Sequence, residues 1–106
     1  TAKPIVRRQA AEQDIADALA YYLSEAGEAT ALGLIDDLEA TLDQIGHNPK
    51  AGFNRYAHAL EIEGLKGWPL KRYPYLVFYM EYAARIEIWR VLHSQRDIPA
   101  WLADPN

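Results

Sequence analysis

The stretch YLVFYMEYAARIEIWRVLH, Tyr75–His93, decides the fold. Its first part, Tyr75–Tyr82, is apolar or aromatic at both alternating sets of positions, which is typical of a strand that is covered on both faces. Its second part, Arg85–Leu92, alternates in the period of a strand. Only Ala83 and Ala84 separate the two parts, so we predict a β-hairpin, although Ala-Ala lacks the Asn-Gly type of turn signal.

The two-residue turn also predicts which side chains share a face of the hairpin. Phe78 should lie opposite Trp89, and Val77 opposite Arg90. The face that packs on helices should carry Val77, Tyr79, Ile86 and Ile88. The other face should carry Phe78, Met80, Trp89 and Val91. We expect this second face to be open and aromatic, with His93 at its margin, because a short sheet with helices on one side leaves its other side uncovered.

Two amphipathic helices precede this sheet. The apolar stripe of the first consists of Ile15, Leu19, Tyr22 and Leu23, with Ala11, Ala18 and Ala26 beside it. That of the second consists of Ala31, Leu34, Ile35, Leu38, Leu42 and Ile45. Gly27 ends the first helix, and Gly46 followed by Pro49 ends the second. Helices joined by little more than a glycine must lie antiparallel, so they form a helical hairpin that needs an apolar partner, which a sheet can supply.

Three shorter elements complete the predicted fold. Lys3–Arg8 is a short strand, Leu65–Arg72 is an edge strand interrupted by a glycine and a proline, and Asp97–Asn106 is a C-terminal helix with Asp97 as its N-cap. The fold class is therefore α+β in the order β-α-α-β-β-β, a small antiparallel sheet with a helical hairpin on one face and a short C-terminal helix. The 106 residues suit one domain, residues 1–106.

Composition narrows the functional classes. The chain has no cysteine, which excludes disulfides, thiolate metal sites and cysteine nucleophiles and agrees with a reducing cytoplasm. Its N-terminus lacks the apolar region of a secretory signal, and its longest apolar run, Tyr75–Met80, is too short to span a bilayer. We therefore expect a cytoplasmic protein with no membrane partner.

The charges divide unevenly along the chain. Up to Pro49 there are 3 basic and 9 acidic residues, a balance of −6, whereas Lys50–Arg96 holds 8 basic and 4 acidic residues, a balance of +4. The basic half is the better candidate to meet an acidic partner, although solvated helix faces also tolerate Asp and Glu without any partner.

The chemistry of individual residues gives few catalytic signals. His47, His58 and His93 are not at metal-ligand spacing, so we expect neither a metal nor a cofactor. A metal-free nuclease could use His93, Arg90 and Arg72 as base and cations. The alternative, which we favour, is that Arg90 pairs with a carboxylate and His93 forms a hydrogen bond at the sheet edge.

Two segments carry a resemblance to a known family. HNPKAGFNR, His47–Arg55, follows the helical hairpin, and LKGWPLKRYPYLVFYMEYAARIEIWRVLHSQRD, Leu65–Asp97, ends in I-x-I-x-R-V-x-H followed by R-D. Together with the preceding elements they resemble the ParE branch of the RelE/ParE toxin superfamily. The ending is the most specific part, and Asn48 departs from the family's His-Pro turn.

The resemblance implies the toxin of a type II toxin–antitoxin system, which contributes to plasmid or chromosomal stabilisation. Such a toxin inhibits DNA gyrase without being an enzyme, is held silent by a ParD-type antitoxin, and meets operator DNA only through that antitoxin. The alternative is a RelE-like, ribosome-dependent mRNA interferase, for which His93 is suitably placed but Ser94 follows it where a tyrosine is typical. A third possibility is an inactive module that only binds an antitoxin.

The predicted sites follow from these hypotheses. The antitoxin's apolar residues should contact Phe78, Met80, Trp89 and Val91, or else the outer grooves of the helical hairpin, and its acidic residues should pair with Arg72. The target should contact Arg90, His93, Arg96 and Trp101. An interferase would instead use His93, Arg90 and Arg72 in catalysis.

Overall fold

The computed structural model describes residues 2–102. Its elements are β1 Ile5–Arg7, α1 Gln9–Ala26, α2 Glu28–His47, a 3-10 turn Pro49–Ala51, α3 Arg55–Leu60, β2 Leu65–Pro69, β3 Tyr75–Glu81, β4 Ile86–His93 and α4 Ile98–Leu102. This confirms the α+β class and the predicted β-α-α-β-β-β order; α3 is an additional helix that the sequence did not predict. The end of the predicted C-terminal helix, residues 103–106, lies outside the described residues. No helix in the described range is long and apolar enough to cross a bilayer.

The four strands form one sheet in the order β1-β4-β3-β2. β2, β3 and β4 are antiparallel, as predicted, and β2 occupies an edge. The prediction of a wholly antiparallel sheet is wrong for β1, which pairs in parallel with β4. β1 and β4 are separated in the chain by the helical hairpin and two strands, and such a long connection permits the parallel pairing that a tight turn forbids.

The helical hairpin turns at Gly27, where φ is +93°. A side chain at this φ is strained, so glycine suits the position. The Gly27 N–H donates to the Tyr22 carbonyl, and its own carbonyl accepts the Ala31 N–H, so one residue ends α1 and begins α2. The core between this hairpin and the sheet joins Leu34, Leu38 and Ile45 of α2 to Val77, Tyr79, Ile86 and Ile88 of the strands. The predicted helix-facing set is therefore confirmed.

A buried carboxylate ties α2 to the turn between β2 and β3. Asp37 is only 8% exposed, and its two oxygens accept the backbone N–H groups of Lys71, Arg72 and Tyr73 at 3.3, 2.7 and 3.1 Å. The Tyr73 hydroxyl adds a bond to the Thr30 carbonyl at 2.6 Å. The turn is thus held by backbone donors whose positions do not depend on its side chains.

A β-bulge changes the register of the predicted hairpin. The turn has the two residues expected, and Tyr79 pairs with Ile88, but the next pair is Phe78 with Arg90. Trp89 is the additional residue, since two residues of one strand oppose one of the other in a bulge. The predicted pairs Phe78 with Trp89 and Val77 with Arg90 are wrong for this reason. Every β4 side chain after Trp89 lies on the opposite face of the sheet from the one predicted.

The second face of the sheet is not open. Segments from α3 and its flanks, together with Ile98 and Leu102 of α4, pack on Leu76, Phe78 and Leu92. Phe78 is 0% exposed, and the bulge turns Val91, 4% exposed, into the core on the helix side. The prediction of an exposed aromatic face is therefore wrong for these two residues, because α3 was not predicted and the bulge reverses the alternation.

Candidate functional site at the end of strand β4

Arg90 and Asp14 form an ion pair between β4 and α1. Arg90 Nε and Nη2 donate to the two Asp14 oxygens at 2.8 and 2.9 Å. Their side chains are only 10% and 11% exposed, and a bidentate pair of this kind fixes both groups in orientation. Asp14 also accepts the Val91 N–H at 3.0 Å. β1 ends beside Ile88, so the Asp14 carboxylate caps the next edge position of β4, which no strand of the described residues covers.

The same arginine connects the sheet to α4. Arg90 Nη1 donates to the Trp101 carbonyl at 3.0 Å, and its guanidinium carbon lies 5.5 Å from the centre of the Trp101 ring. The Arg96 guanidinium lies closer, at 4.1 Å from that ring. Trp101 remains 38% exposed, so two cations hold a tryptophan that is still accessible from outside.

Between α1 and α4 lies a groove of about 480 Å³. Its wall from α1 consists of Asp14, Asp17, Ala18 and Tyr21, its floor of Tyr75, Val91, Leu92 and His93, and its far wall of Gln95, Arg96 and Trp101. Tyr21 is 59% exposed. The groove therefore offers two accessible aromatic rings, Tyr21 and Trp101, with an acidic side at Asp17 and a basic side at Arg96.

His93 is held by its neighbours in the groove floor. Its Nδ1 lies 3.1 Å from the Gln95 N–H and accepts from it, which places the proton of the neutral ring on Nε2. Its ring packs edge-on against Tyr75 at 5.2 Å. Burial, followed by the influence of Tyr22, raises the pKa of Tyr75 to about 12, so this tyrosine keeps its proton at neutral pH. Within residues 2–102 no cluster of His, Cys, Asp or Glu is placed to hold a metal ion.

Comparison with known proteins identifies the family. The model of the family described as "ParE toxin of type II toxin-antitoxin system, parDE" matches residues 5–98. The chain belongs to this ParE toxin family. Its fold is similar to a solved structure described as the chromosomal ParDE TA system from P. aeruginosa, with a TM-score of 0.74 at 19% identity, covering 88% of this chain and 97% of that one. A comparison with curated proteins gives no significant match.

The structure of this ParE family member brings most of the predicted target-binding residues together. His93, Arg96 and Trp101 line the groove, and Arg90 lies behind it, where it holds Asp14 and Trp101. The carboxylate partner that we favoured for Arg90 and the hydrogen bond of His93 are both present. The bulge exchanges the predicted faces of Arg90 and His93, yet the two remain on opposite sides of the sheet.

Arg72 is not part of this site. It lies in the β2–β3 turn, where its backbone N–H is bound to Asp37, and it does not line the groove. The alternative catalytic set of His93, Arg90 and Arg72 is therefore not assembled in one pocket. That the chain acts without catalysis stays a prediction.

The residues predicted to bind an antitoxin are divided by burial. Phe78 and Val91 are inside the protein, whereas Met80 and Trp89 are half-buried at the surface. The Arg8 guanidinium covers the Trp89 ring at 4.2 Å, and Trp89 Nε1 is a buried donor with no hydrogen-bond partner in the described part of the chain. Arg72, the fifth predicted residue, is exposed. Contact with an antitoxin stays a prediction for all five.

Sequence reasoning missed the contribution of α1 to the groove. Asp14, Asp17 and Tyr21 precede β4 by about seventy residues in the printed sequence, so no local motif joins them. Asp14 did carry a signal, because it lies beside Ile15 in the apolar stripe of α1. A carboxylate on the buried side of a helix requires a cation, and Arg90 in a buried strand requires an anion.

Proposed function

We propose that this ParE family member inhibits DNA gyrase by binding it, without catalysing a reaction, and that a ParD-type antitoxin holds it inactive. Membership of the family supports the toxin role. The observation that carries the non-enzymatic part is the engagement of Arg90: its guanidinium is bound to Asp14 and to the Trp101 carbonyl. A guanidinium whose donors are already bound within the protein holds a surface in shape. It is poorly placed to stabilise the negative charge that develops in a transition state. The proposed function requires the chain to act in the cytoplasm.

We place the gyrase contact at the groove between α1 and α4. Partly exposed aromatic rings beside charged groups are the composition found at the energetic centres of protein interfaces. Tyr21 and Trp101 supply the rings, and Arg90 and Arg96 hold Trp101 in place before any partner arrives. A pre-positioned side chain loses less conformational entropy on binding.

We place the antitoxin contact at the half-buried pair Met80 and Trp89, with Arg72 available for its acidic residues. Phe78 and Val91 could join that interface only if the elements that cover them moved. Both side chains are partly exposed on the second face of the sheet, which supports this location.

A supercoiling assay with purified gyrase tests the toxin function. The chain should impair supercoiling or accumulate cleaved DNA complexes, and Trp101→Ala should weaken the effect roughly tenfold, the equivalent of about 1.4 kcal/mol at one interface anchor. Leu32→Ala is the matched control, since Leu32 is an apolar side chain with 56% exposure away from the groove. If supercoiling stays normal and the chain instead cuts translated mRNA at codon boundaries, the chain is a ribosome-dependent mRNA interferase and the gyrase proposal is wrong.

Affinity for the antitoxin tests the second surface. Trp89→Glu should weaken binding, whereas Leu23→Glu, which changes an exposed leucine of α1, should not. If the Trp89 variant and the unchanged protein bind the antitoxin with equal affinity, the proposed contact at Met80 and Trp89 is wrong.

A further inference from the structure

A basic pole lies at the β3–β4 turn, the opposite end of β4 from the groove. Its cations are Lys3, Arg8, Lys50 and Arg85, each paired with one of its two carboxylates, Glu81 and Glu87. Four positive and two negative charges give this pole a balance of +2, whereas the whole chain carries −4. None of these charged residues lines the proposed gyrase groove, and Arg8 alone touches the proposed antitoxin surface, through the Trp89 ring.

Two arginines of the pole are fixed by one carboxylate. Arg85 Nε and Nη2 donate to one oxygen of Glu87 at 3.0 and 2.6 Å, and Arg8 Nε donates to the other oxygen at 3.1 Å. The bond from Arg85, then that from Arg8, lowers the pKa of Glu87. The carboxylate therefore stays charged at neutral pH and keeps both guanidiniums in place.

Aromatic rings support the same two arginines from below. The Arg8 guanidinium lies 4.2 Å from the centre of the Trp89 ring, and that of Arg85 lies 4.6 Å from the centre of the Tyr82 ring. Stacking of this kind restrains the plane of a guanidinium. The Arg8 and Arg85 side chains nevertheless remain 42% and 46% exposed.

The donors that these contacts leave over point to a ligand. Within residues 2–102, three guanidinium nitrogens make no hydrogen bond: Nη1 and Nη2 of Arg8, and Nη1 of Arg85. We propose that Arg8 and Arg85 bind phosphodiester groups of a nucleic acid, with Lys3 and Lys50 extending the contact along the backbone. Guanidinium groups held in plane with free N–H donors match phosphate oxygens.

A nucleic acid fits this pole better than an acidic protein segment. The cations come from the two flanks of β1, the 3-10 turn and the β3–β4 turn, so they are spread over an end of the molecule and do not converge on one pocket. A nucleic acid presents regularly spaced negative charges along its whole length. The inference is independent of gyrase, because the contact requires only the chain and the nucleic acid.

Fluorescence anisotropy of labelled nucleic acid with the full chain tests the proposal. The unchanged protein should bind a mixed-sequence duplex at low salt, with affinity that falls steeply as salt rises. The double variant Arg8→Gln and Arg85→Gln should bind roughly tenfold more weakly and lower the salt slope by about 2, one unit for each lost phosphate contact. A single strand of the same length in a parallel titration distinguishes an unpaired from a duplex source of the phosphates.

The matched control is the double variant Arg55→Gln and Lys71→Gln. It removes the same charge from exposed positions outside the pole, and Arg55 also stacks on a ring, that of Phe53 at 4.1 Å. Binding within about twofold of the unchanged protein is expected for this control. Loss of binding equal to that of the pole variant, no salt-dependent binding by the unchanged protein, or equal affinity for poly-glutamate would each overturn the assignment. The assay contains no gyrase, so its failure and a failure to inhibit supercoiling are separate results.

Discussion

Asp37 and Asp14 are both nearly buried carboxylates on the helical hairpin, and both accept three hydrogen bonds from the sheet side of the molecule. Within residues 2–102, Asp37 accepts only backbone N–H groups, all from the β2–β3 turn. Asp14 accepts one backbone N–H and two donors of Arg90, which also binds α4. The first carboxylate shapes a turn, and the second positions a side chain that orders another element. Similar burial therefore serves the fold in one case and a candidate binding surface in the other.

The largest effect that tests this contrast is expected from Asp14→Ala. It leaves the Arg90 guanidinium without its counter-charge in a nearly buried position, so the free energy of unfolding should fall by about 3 kcal/mol. Urea denaturation of the variant measures this loss. Asp17→Ala, on the same helix with an exposed side chain bound only to Gln13 in the described residues, should change it by less than about 0.5 kcal/mol.

A double variant distinguishes the effect of an unpaired buried charge from the effect of losing the packing of the two side chains. Asp14→Leu with Arg90→Met should recover much of the lost stability, because apolar replacement of a buried pair leaves no unpaired charge. Equal costs for the single and double variants would show that the carboxylate acts mainly through the Val91 N–H.

Asp37→Ala should cost somewhat less, about 2 kcal/mol. It removes the acceptor of three backbone N–H groups, but Lys71 and Arg72 are exposed, so water can satisfy part of what is lost. The neighbouring Asp36→Ala changes an exposed residue and provides the control in the same denaturation series. A cost for Asp37→Ala above that of Asp14→Ala would reverse the ranking proposed for the two carboxylates.

The effect of the two carboxylates on gyrase inhibition is best tested with substitutions that keep the side-chain shape, so that the variants stay folded. Asp14→Asn keeps the shape but weakens the hold on Arg90 and hence on Trp101, so inhibition of gyrase should fall roughly fivefold, about 1 kcal/mol. Asp37→Asn, measured at a temperature where both variants are folded, should stay within about twofold. Parallel losses in the two variants would contradict a special link between Asp14 and the groove.

The smallest effect is expected from carboxylates whose partners are more exposed. The hydrogen bond from Lys3 is the main cause that lowers the pKa of Glu81, and that from Arg85 lowers the pKa of Glu87. Folded-state values below the ordinary 4.5 mean that this stabilisation is present above pH 4.5 and is lost as pH falls through the lowered pKa. Replacing both by glutamine should reduce the acid dependence of stability by roughly 1 kcal/mol. Glu39→Gln, on the exposed side of α2, should leave that dependence unchanged.

The sequence predicted the elements whose signals are local. The two helices, their turn at Gly27 and the β3–β4 hairpin all rest on periodicity and turn chemistry within short windows. The six-residue helix α3, Arg55–Leu60, has too few turns to show a period, so its cover over the second face was not foreseen. The parallel pairing of β1 with β4 depends on the path of the whole chain and has no local signal.

The candidate site was predicted in part for a similar reason. Arg90, His93, Arg96 and Trp101 lie close together in the chain, and the structure keeps them around one groove. Their partner Asp14 is distant in sequence and was seen only as part of an apolar stripe. The bulge at Trp89 could not be predicted from alternation, because the residues on both sides of it continue the same pattern of apolar and polar side chains.

The bulge at Trp89 has a consequence for how the length of this chain can vary. β4 contains one residue more than its partner needs, and the pairs on either side, Tyr79 with Ile88 and Phe78 with Arg90, would become consecutive if that residue were deleted. All side chains beyond it would keep their faces. A relative that lacks the residue equivalent to Trp89 would therefore keep the same side chains in the groove. Deletion of Val91 or Leu92 would instead turn His93 away from Tyr75.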